Sequence, residues 1–390
     1  KCSSITKKAF NEMNSLVHKN ERLLPEDVPD RITLICRNPE KLSDSFCRQY
    51  YMYIAKAMAE CEIAHIKKAA AQGFFCAGEL ISGACDVTDR FACREARSEE
   101  ALSSFFKEKG FEFSQLLSLI DENGKNIVQL YCSHVPVLKD VPSLLEEMYE
   151  LTGISYLPPV CDEYSENGTV LNFCEECNLD ISYHTSTHIS INEQYSGDTV
   201  KCFYDGTGYF YVILSDGMGT GGRAAVDGAM ASGLMARLVK AGFGYNCSLK
   251  ILNSSMLFKS TDESLATVDI ASIDLYTGTT ELYKAGAAPS ILRRNGRTGK
   301  AESTSLPAGI LRDVSFDTAL IKCKVGDIVV LLSDGATSEG CDWIRQEIEA
   351  FRDGKAQDLA EHLCMCARRR RTDKREDDIT VLCAILDKAV

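Results

Sequence analysis

Apolar and polar positions change period along the chain. Up to about residue 110 they recur at helical spacing. In CRQYYMYIAKAMAECEIAHIKKAAAQ (Cys47 to Gln72), Tyr50, Ile54, Ala57, Cys61 and Ala64 share one helical face. Gly73 is expected to interrupt that helix. A further helix is expected from about Arg90 to Lys109, with Gly110 as its C-cap. From Phe111 the period shortens. FEFSQLLSLID and NIVQLYCSHV read as strands around the turn ENGK, and TVLNFCEE reads as another strand. Between them VPSLLEEMYELTG reads as a helix, with proline near its start and glycine at its end.

After about Asn178 strands dominate. DISYHTSTHISI alternates as a half-buried strand does, and VKCFYDGTGYFYVILSDG reads as two strands joined at Asp205–Gly208. Helices follow at Arg223–Ala241 and Ser248–Lys259. Strands return at ATVDIASIDLYTG, TTELYKAGAAPSILRR, DTALIKCKVGD and IVVLLSDGATSE. A long helix, about Gln357 to Arg371, precedes a last strand, ITVLCAIL. The tight turns favour antiparallel pairing. Two antiparallel sheets face to face, with helices outside, would bury both apolar faces of each. The expectation is therefore an α+β chain in two regions. Residues 1–176 form a regulatory or dimerisation region, helical over 1–110 with a small α/β unit over 111–176. Residues 177–390 form the sandwich.

The chemistry lies where strands end. Twice, a run of β-branched residues and leucine meets Ser-Asp-Gly, at VILSDGMG and at VVLLSDGATSE, so Asp216 and Asp334 sit at strand ends. Gly217 and Gly335 are expected to permit a sharp turn and leave a carbonyl accessible. Asp377 and Asp378 precede the last strand, and Asp198 lies in YSGDTVKCF at the entry of another. Hard divalent cations take such oxygen ligands. A dinucleotide loop competes, because Gly217, Gly219 and Gly222 match G-x-G-x-x-G. However, a carboxylate directly before the first glycine would repel a pyrophosphate. About 20 residues on, where an acidic residue is required, stand Arg237 and Lys240. A plain structural turn explains one Asp-Gly but not the whole set.

Together SGDT, SDGMGTGGRA, SDGATSE and REDDITVL resemble the motifs of the metal-dependent serine/threonine protein phosphatases, the protein phosphatase 2C-like (PPM) family, and within it the sporulation branch. The resemblance covers about Asn178 to Val390. It implies a PPM-type αββα sandwich and a centre of two Mn²⁺ or Mg²⁺ ions. In that centre Asp216 would bridge the ions and the Gly217 carbonyl would be a further ligand. Asp334 and Asp377 would hold one ion, and Asp198 would lie at the cluster. Asp378 stands where many relatives carry Asn. The arginine that eukaryotic relatives use for phosphate has no convincing counterpart. The implied reaction is hydrolysis of phosphoserine on a phosphorylated anti-anti-sigma protein, which would activate a sporulation sigma factor. Cell-division proteins are further partners by the same resemblance. The Cys47–Gln72 helix reads either as a surface for a second copy of the chain or as an intramolecular core helix. The rivals are a non-catalytic binding module on the same scaffold and a dinucleotide-binding oxidoreductase.

Composition adds limits. A formal net charge of -13 over 390 residues disfavours a nucleic-acid footprint. No apolar run approaches the roughly 20 residues of a membrane span, so this fragment is expected to be cytoplasmic, with any membrane anchor upstream of Lys1. The 18 cysteines, among them Cys61, Cys85, Cys93, Cys323 and Cys383, are scattered through apolar runs. They read as reduced, buried thiols. CEEC (Cys174, Cys177) followed by His184 and His188 suggests zinc. On a strand, though, those histidines would lie roughly 13 Å apart, too far for one tetrahedral ion. ARRRRTDKRE reads either as a helix C-terminus whose cations complement the dipole or, being close to Asp377, as a docking element for phosphate or a partner. The small residues of the helix after Asp216, including Gly228 and Gly233, suggest either close packing on a sheet or a movable element.

Overall fold

The computed structural model describes residues 2–389, apart from 21, 35, 37, 90–91, 94–95, 122, 135–137, 139, 166–167, 191–193, 220, 260–263, 312–313, 353 and 372–376. It divides into two compact units, Lys1–Phe74 and Phe75–Val390. In the first, α1 (Cys2–Asn20) presents Ala9, Met13 and Val17 at i, i+4, i+8, and these pack with Leu23, Val28 and Ile32, the last on α2 (Asp30–Thr33). The next helix, α3 (Pro39–Asp89), is continuous over 51 residues. Gly73 therefore does not interrupt it. A Cβ at Gly73 or Gly78 would meet nothing within 4 Å. An exposed helical glycine costs only about 1 kcal/mol, and without a left-handed C-cap it does not end the helix.

The second unit opens with β1 (Ala92–Cys93), α4 (Ala96–Glu108), β2 (Phe113–Ile120), β3 (Asn126–Cys132), α5 (Val141–Thr152), β4 (Val160–Ser165) and β5 (Gly168–Cys174). The helix expected from Arg90 begins only at Ala96, because Ala92 and Cys93 pair with the end of β2 instead. The sheet runs β1-β2-β3-β5-β4. Leu102 and Phe106 of α4, with Leu144 and Met148 of α5, bury against Val128, Leu130, Leu171 and Phe173. The ENGK turn forms as Asp121 Oδ1 accepts from the amides of Asn123 (2.9 Å) and Lys125 (2.8 Å).

There follow β6 (Leu179–His188), β7 (Asp198–Tyr204), β8 (Tyr209–Asp216), α6 (Gly221–Lys240), α7 (Tyr245–Lys259), β9 (Val268–Asp274), β10 (Thr279–Ala285), β11 (Ser290–Arg294), β12 (Arg297–Ala301) and β13 (Asp317–Lys322). The order closes with β14 (Ile328–Leu332), α8 (Asp334–Thr337), α9 (Asp342–Ala350), α10 (Ala356–Arg370) and β15 (Ile379–Lys388). They form two five-stranded sheets, β13-β10-β9-β8-β7 and β12-β11-β14-β15-β6, antiparallel throughout. Their facing sides interlock Phe210, Val212, Leu214, Ile273 and Leu282 with Ile181, Val329, Leu331, Leu382 and Leu386. On the outer faces α6 and α7 cover Ile213, Val268 and Ile270, while α9 and α10 cover Val330, Leu332, Val381 and Cys383. This is the αββα sandwich expected from the sequence.

Alternation in β6 holds for Leu179 and Ile181, both buried, and then weakens, because α10 lies against β6 as well as β15. The four arginines end α10 as expected: Arg368, Arg369 and Arg370 fill its last turn and Arg371 is the C-cap. Cys323 and Cys383 are buried and free, but burial is not general: Cys36, Cys47 and Cys341 are half-buried and Cys161 is exposed, and the side chains of Cys61, Cys85 and Cys93 lie outside the described residues. Among the described residues no helix is long and apolar enough to cross a membrane.

Candidate metal centre

The hairpin β7–β8 sets the first two carboxylates. Its turn is closed by Asp205, whose Oδ1 accepts from the amides of Thr207 (2.8 Å) and Tyr209 (3.1 Å). That fixes the register and places Asp198 directly opposite Asp216. From the other sheet, β14 ends at Leu332 and Asp334 opens α8, while Asp377 and Asp378 precede β15. Asp216 and Asp334 line one cavity together with Thr267, Asp269, Ser333 and the Gly286–Ala288 loop.

These acids act on one another. Burial, then the charges of Asp198, Asp334, Asp377 and Asp378, push the Asp216 carboxyl up to about 9. Asp198 is pushed up to about 7, first by burial and also by Asp334 and Asp378, while the hydroxyls of Thr380 and Ser333 pull the other way. Asp377 is raised by partial burial first and Asp334 next, although the residue as a whole is exposed. Oδ2 of Asp198 is buried without a hydrogen-bond partner. Acids packed this way repel one another unless protons or cations sit among them. A cluster of hard oxygen donors with an orphaned buried oxygen fits divalent cations.

Asp378 has a different task. Its Oδ1 accepts from the Ser190 amide (2.9 Å) and its Oδ2 from the Gly197 amide (2.6 Å), so it ties the loop before β7 to the start of β15. Arg371 donates to the Asp377 carbonyl and holds that segment from the end of α10.

The two Ser-Asp-Gly glycines are needed for a reason other than the one expected. Neither Gly217 nor Gly335 has a positive φ. A Cβ at Gly217 would stand 2.0 Å from the Ala224 carbonyl oxygen, and one at Gly335 would stand 2.0 Å from the Asp378 carbonyl oxygen. Close approach of two backbones, not a left-handed turn, excludes every other residue. Gly228 likewise lets α6 touch the Gly197 carbonyl, where a Cβ would stand at 2.3 Å, whereas Gly233 faces open space. Close packing accounts for Gly228.

The dinucleotide reading fails on topology. β8 is flanked by antiparallel β7 and β9, so the loop after it opens no parallel βαβ unit. The zinc reading of CEEC fails as expected. Cys174 and Cys177 both lie beside the Lys125 ammonium, since a Cβ at Gly208 would be 3.0 Å from each of the three groups. His184 and His188 lie opposite Cys383 and Ile379 in the second sheet.

Sequence reasoning missed a buried polar trio beside the cavity. Lys284 Nζ lies 2.5 Å from Asp269 Oδ2 and 2.7 Å from Ser290 Oγ, and Ser290 Oγ donates to the same Asp269 oxygen at 2.9 Å. All three are buried, and Asp269 is part of the cavity wall. The signal was a lysine at an inward position of TTELYKA, on the same strand face as the buried Thr280 and Leu282.

A family model described as stage II sporulation protein E matches residues 206–387. Among curated proteins, the stage II sporulation protein E of Bacillus subtilis (strain 168) is 28% identical over 198 residues, which is 49% of this chain and 24% of that protein. That of Priestia megaterium is 27% identical over 197 residues, 49% of this chain and 34% of that protein. The match thus spans about a quarter to a third of those relatives' length. A solved structure of the PP2C phosphatase domain and a fragment of the regulatory domain of the cell fate determinant SpoIIE from Bacillus subtilis superposes with a TM-score of 0.58. It is 18% identical and covers 87% of this chain and 100% of that one. The fold is therefore that of the PP2C phosphatase domains.

Proposed function

We propose, from the premise that residues 206–387 belong to the stage II sporulation protein E family, that this chain is a metal-dependent protein serine/threonine phosphatase. Asp198, Asp216, Asp334 and Asp377, with the Gly217 carbonyl, would hold two Mn²⁺ or Mg²⁺ ions. One observation carries the reading. Asp216, at the end of β8, lies in the field of four other carboxylates from both sheets, which favours a centre that needs divalent cations at neutral pH. When bound, the ions supply Lewis acidity toward phosphate oxygens and make water acidic enough to yield hydroxide near neutral pH.

The chain's own residues do the positioning. The hydroxyls of Thr380 and Ser333 favour the charged form of the Asp198 carboxyl. Asp378 anchors the loop that leads into β7, and Arg371 steadies Asp377. Two sheets deliver the acids on stiff strand ends, so little reorganisation is needed when a phosphoseryl group enters. The substrate we assign is a phosphorylated anti-anti-sigma protein, and its dephosphorylation would activate a sporulation sigma factor. Residues 1–176 would be the regulatory region, with cell-division proteins or a second copy of the chain as partners. The name of the solved relative, a phosphatase domain with a fragment of a regulatory domain, supports that division.

The test is hydrolysis of p-nitrophenyl phosphate by the full chain with and without Mn²⁺, alongside Asp334→Ala. Turnover should require Mn²⁺ and fall by at least 10²-fold in the variant. Turnover indifferent to both would remove the centre. No turnover with any divalent ion would favour the non-catalytic binding module.

A further inference from the structure

On the outer layer of the second sheet, α9 and α10 bring together three side chains that the phosphatase chemistry leaves unused. His362 Nε2 lies 2.9 Å from Glu347 Oε2 and 3.6 Å from Cys366 Sγ. All three donor atoms lie within 4.8 Å of one another. His362 and Cys366 are four residues apart on α10, hence one turn apart on a single face, and Glu347 reaches over from α9.

We propose that Glu347, His362 and Cys366 form a second metal site, selective for zinc over magnesium and manganese. The donor set decides the metal. Imidazole and thiolate are borderline to soft ligands, poor for Mg²⁺ and good for Zn²⁺, which also accepts one carboxylate. Geometry agrees. A tetrahedral zinc with bonds of about 2.0–2.3 Å spaces its ligand atoms roughly 3.3–3.7 Å apart. The observed 2.9 and 3.6 Å lie near that spacing, so modest side-chain movement suffices. Both helices are rigid platforms. α10 buries Leu359, Ala360, Leu363, Cys364 and Ala367, and α9 buries Trp343, Ile344 and Ile348.

Binding displaces one proton, from the Cys366 thiol to solvent. His362 would bind as the neutral imidazole: the hydrogen that Nε2 gives to Glu347 is exchanged through solvent onto Nδ1, which frees the Nε2 lone pair for the ion. The hydrogen bond between His362 and Glu347 gives way to two bonds to zinc. His362 is exposed, so water completes the fourth position. The bound ion would fasten α9 to α10. These helices follow Asp334 and precede Asp377, so zinc would brace the two arms that carry those acids without entering the oxygen-only centre.

The probe is Co²⁺, titrated into the full chain after metal removal and followed by absorption. One equivalent should produce a thiolate-to-cobalt charge-transfer band with the visible bands of a tetrahedral site. Zn²⁺ should erase both and Mg²⁺ neither. Cys366→Ser should lose the charge-transfer band while its circular dichroism and Mn²⁺-dependent turnover stay as in the parent. His362→Gln and Glu347→Gln should each weaken zinc binding by at least about tenfold. Absence of the band at stoichiometric cobalt would overturn the site and leave a plain His–Glu hydrogen bond. Persistence of the band in Cys366→Ser would overturn it as well, by placing the cobalt on another thiol such as Cys174 or Cys177.

Discussion

Replacing Asp216 with Asn should stabilise the protein when no divalent ion is present, and should destroy its response to ions. In the ion-free fold the Asp216 carboxyl is held up at about 9, against 3.8 for the free side chain. At pH 7 it is therefore protonated in the folded state and ionised in the unfolded one. The cost of that proton is about 1.36 kcal/mol per unit between 3.8 and 7, roughly 4 kcal/mol at most. Part of it is shared with Asp198 and is relieved by ions in solution, so about 2 kcal/mol should be recovered by a neutral isostere of the same shape. For the unit Phe75–Val390 that raises the melting temperature by roughly 3 °C. The assay is thermal unfolding followed by circular dichroism, in EDTA and in millimolar Mn²⁺. The parent should gain stability with Mn²⁺, and the variant should start higher in EDTA and gain nothing. A variant that melts at or below the parent in EDTA, or that keeps the Mn²⁺ shift, would show that Asp216 is not a crowded carboxylate awaiting cations.

Acidification should have the matching effect on the ion-free parent. The folded-state values of Asp198 and Asp216 lie above the unfolded ones, so their contribution falls as pH rises from about 4 toward 9. Melting in EDTA should therefore be higher at pH 5.5 than at pH 8, and saturating Mn²⁺ should flatten or reverse that trend, as differential scanning fluorimetry would report. Gly217→Ala should cost about 3 kcal/mol or more in urea unfolding, since its Cβ would stand 2.0 Å from the Ala224 carbonyl. Gly222→Ala, in the first turn of α6 and in open space, should be neutral or gain up to about 1 kcal/mol. Lys284→Met should destabilise by roughly 3–5 kcal/mol by leaving Asp269 buried and unpaired, and adding Asp269→Asn should return much of the loss.

The sandwich could be read from the chain because its strands are short, β-branched and punctuated by turns that close themselves, as Asp121 and Asp205 do with neighbouring amides. The five acids could be read because each stands beside a glycine or at a strand boundary. What escaped the sequence depends on contacts between distant segments. Ala92 and Cys93 pair with β2, which no local preference dictates. Gly73 sits in a helix that simply tolerates it. Gly217 and Gly335 look like turn glycines, and only the position of α6 and of Asp378 reveals them as contact points. Asp378 was ambiguous for the same reason, since its partners Ser190 and Gly197 are 188 and 181 residues away in sequence. Lys284, by contrast, was within reach, as a cation on the inward strand face that also carries Thr280 and Leu282.

Asp198 and Asp216 belong to one sheet, whereas Asp334 and Asp377 are delivered by the other. Among the described residues no strand-to-strand ladder spans the gap across which they would grip cations, and Asp378 ties its rim through the amides of Ser190 and Gly197. The rest of that gap is a property of the oily filling between the layers, of Val212 and Leu214 against Val329 and Leu331. A methyl group added or removed there, out of sight of any phosphate, would slide one layer on the other and detune such a grip, so affinity for the proposed ions would depend partly on residues that never touch them.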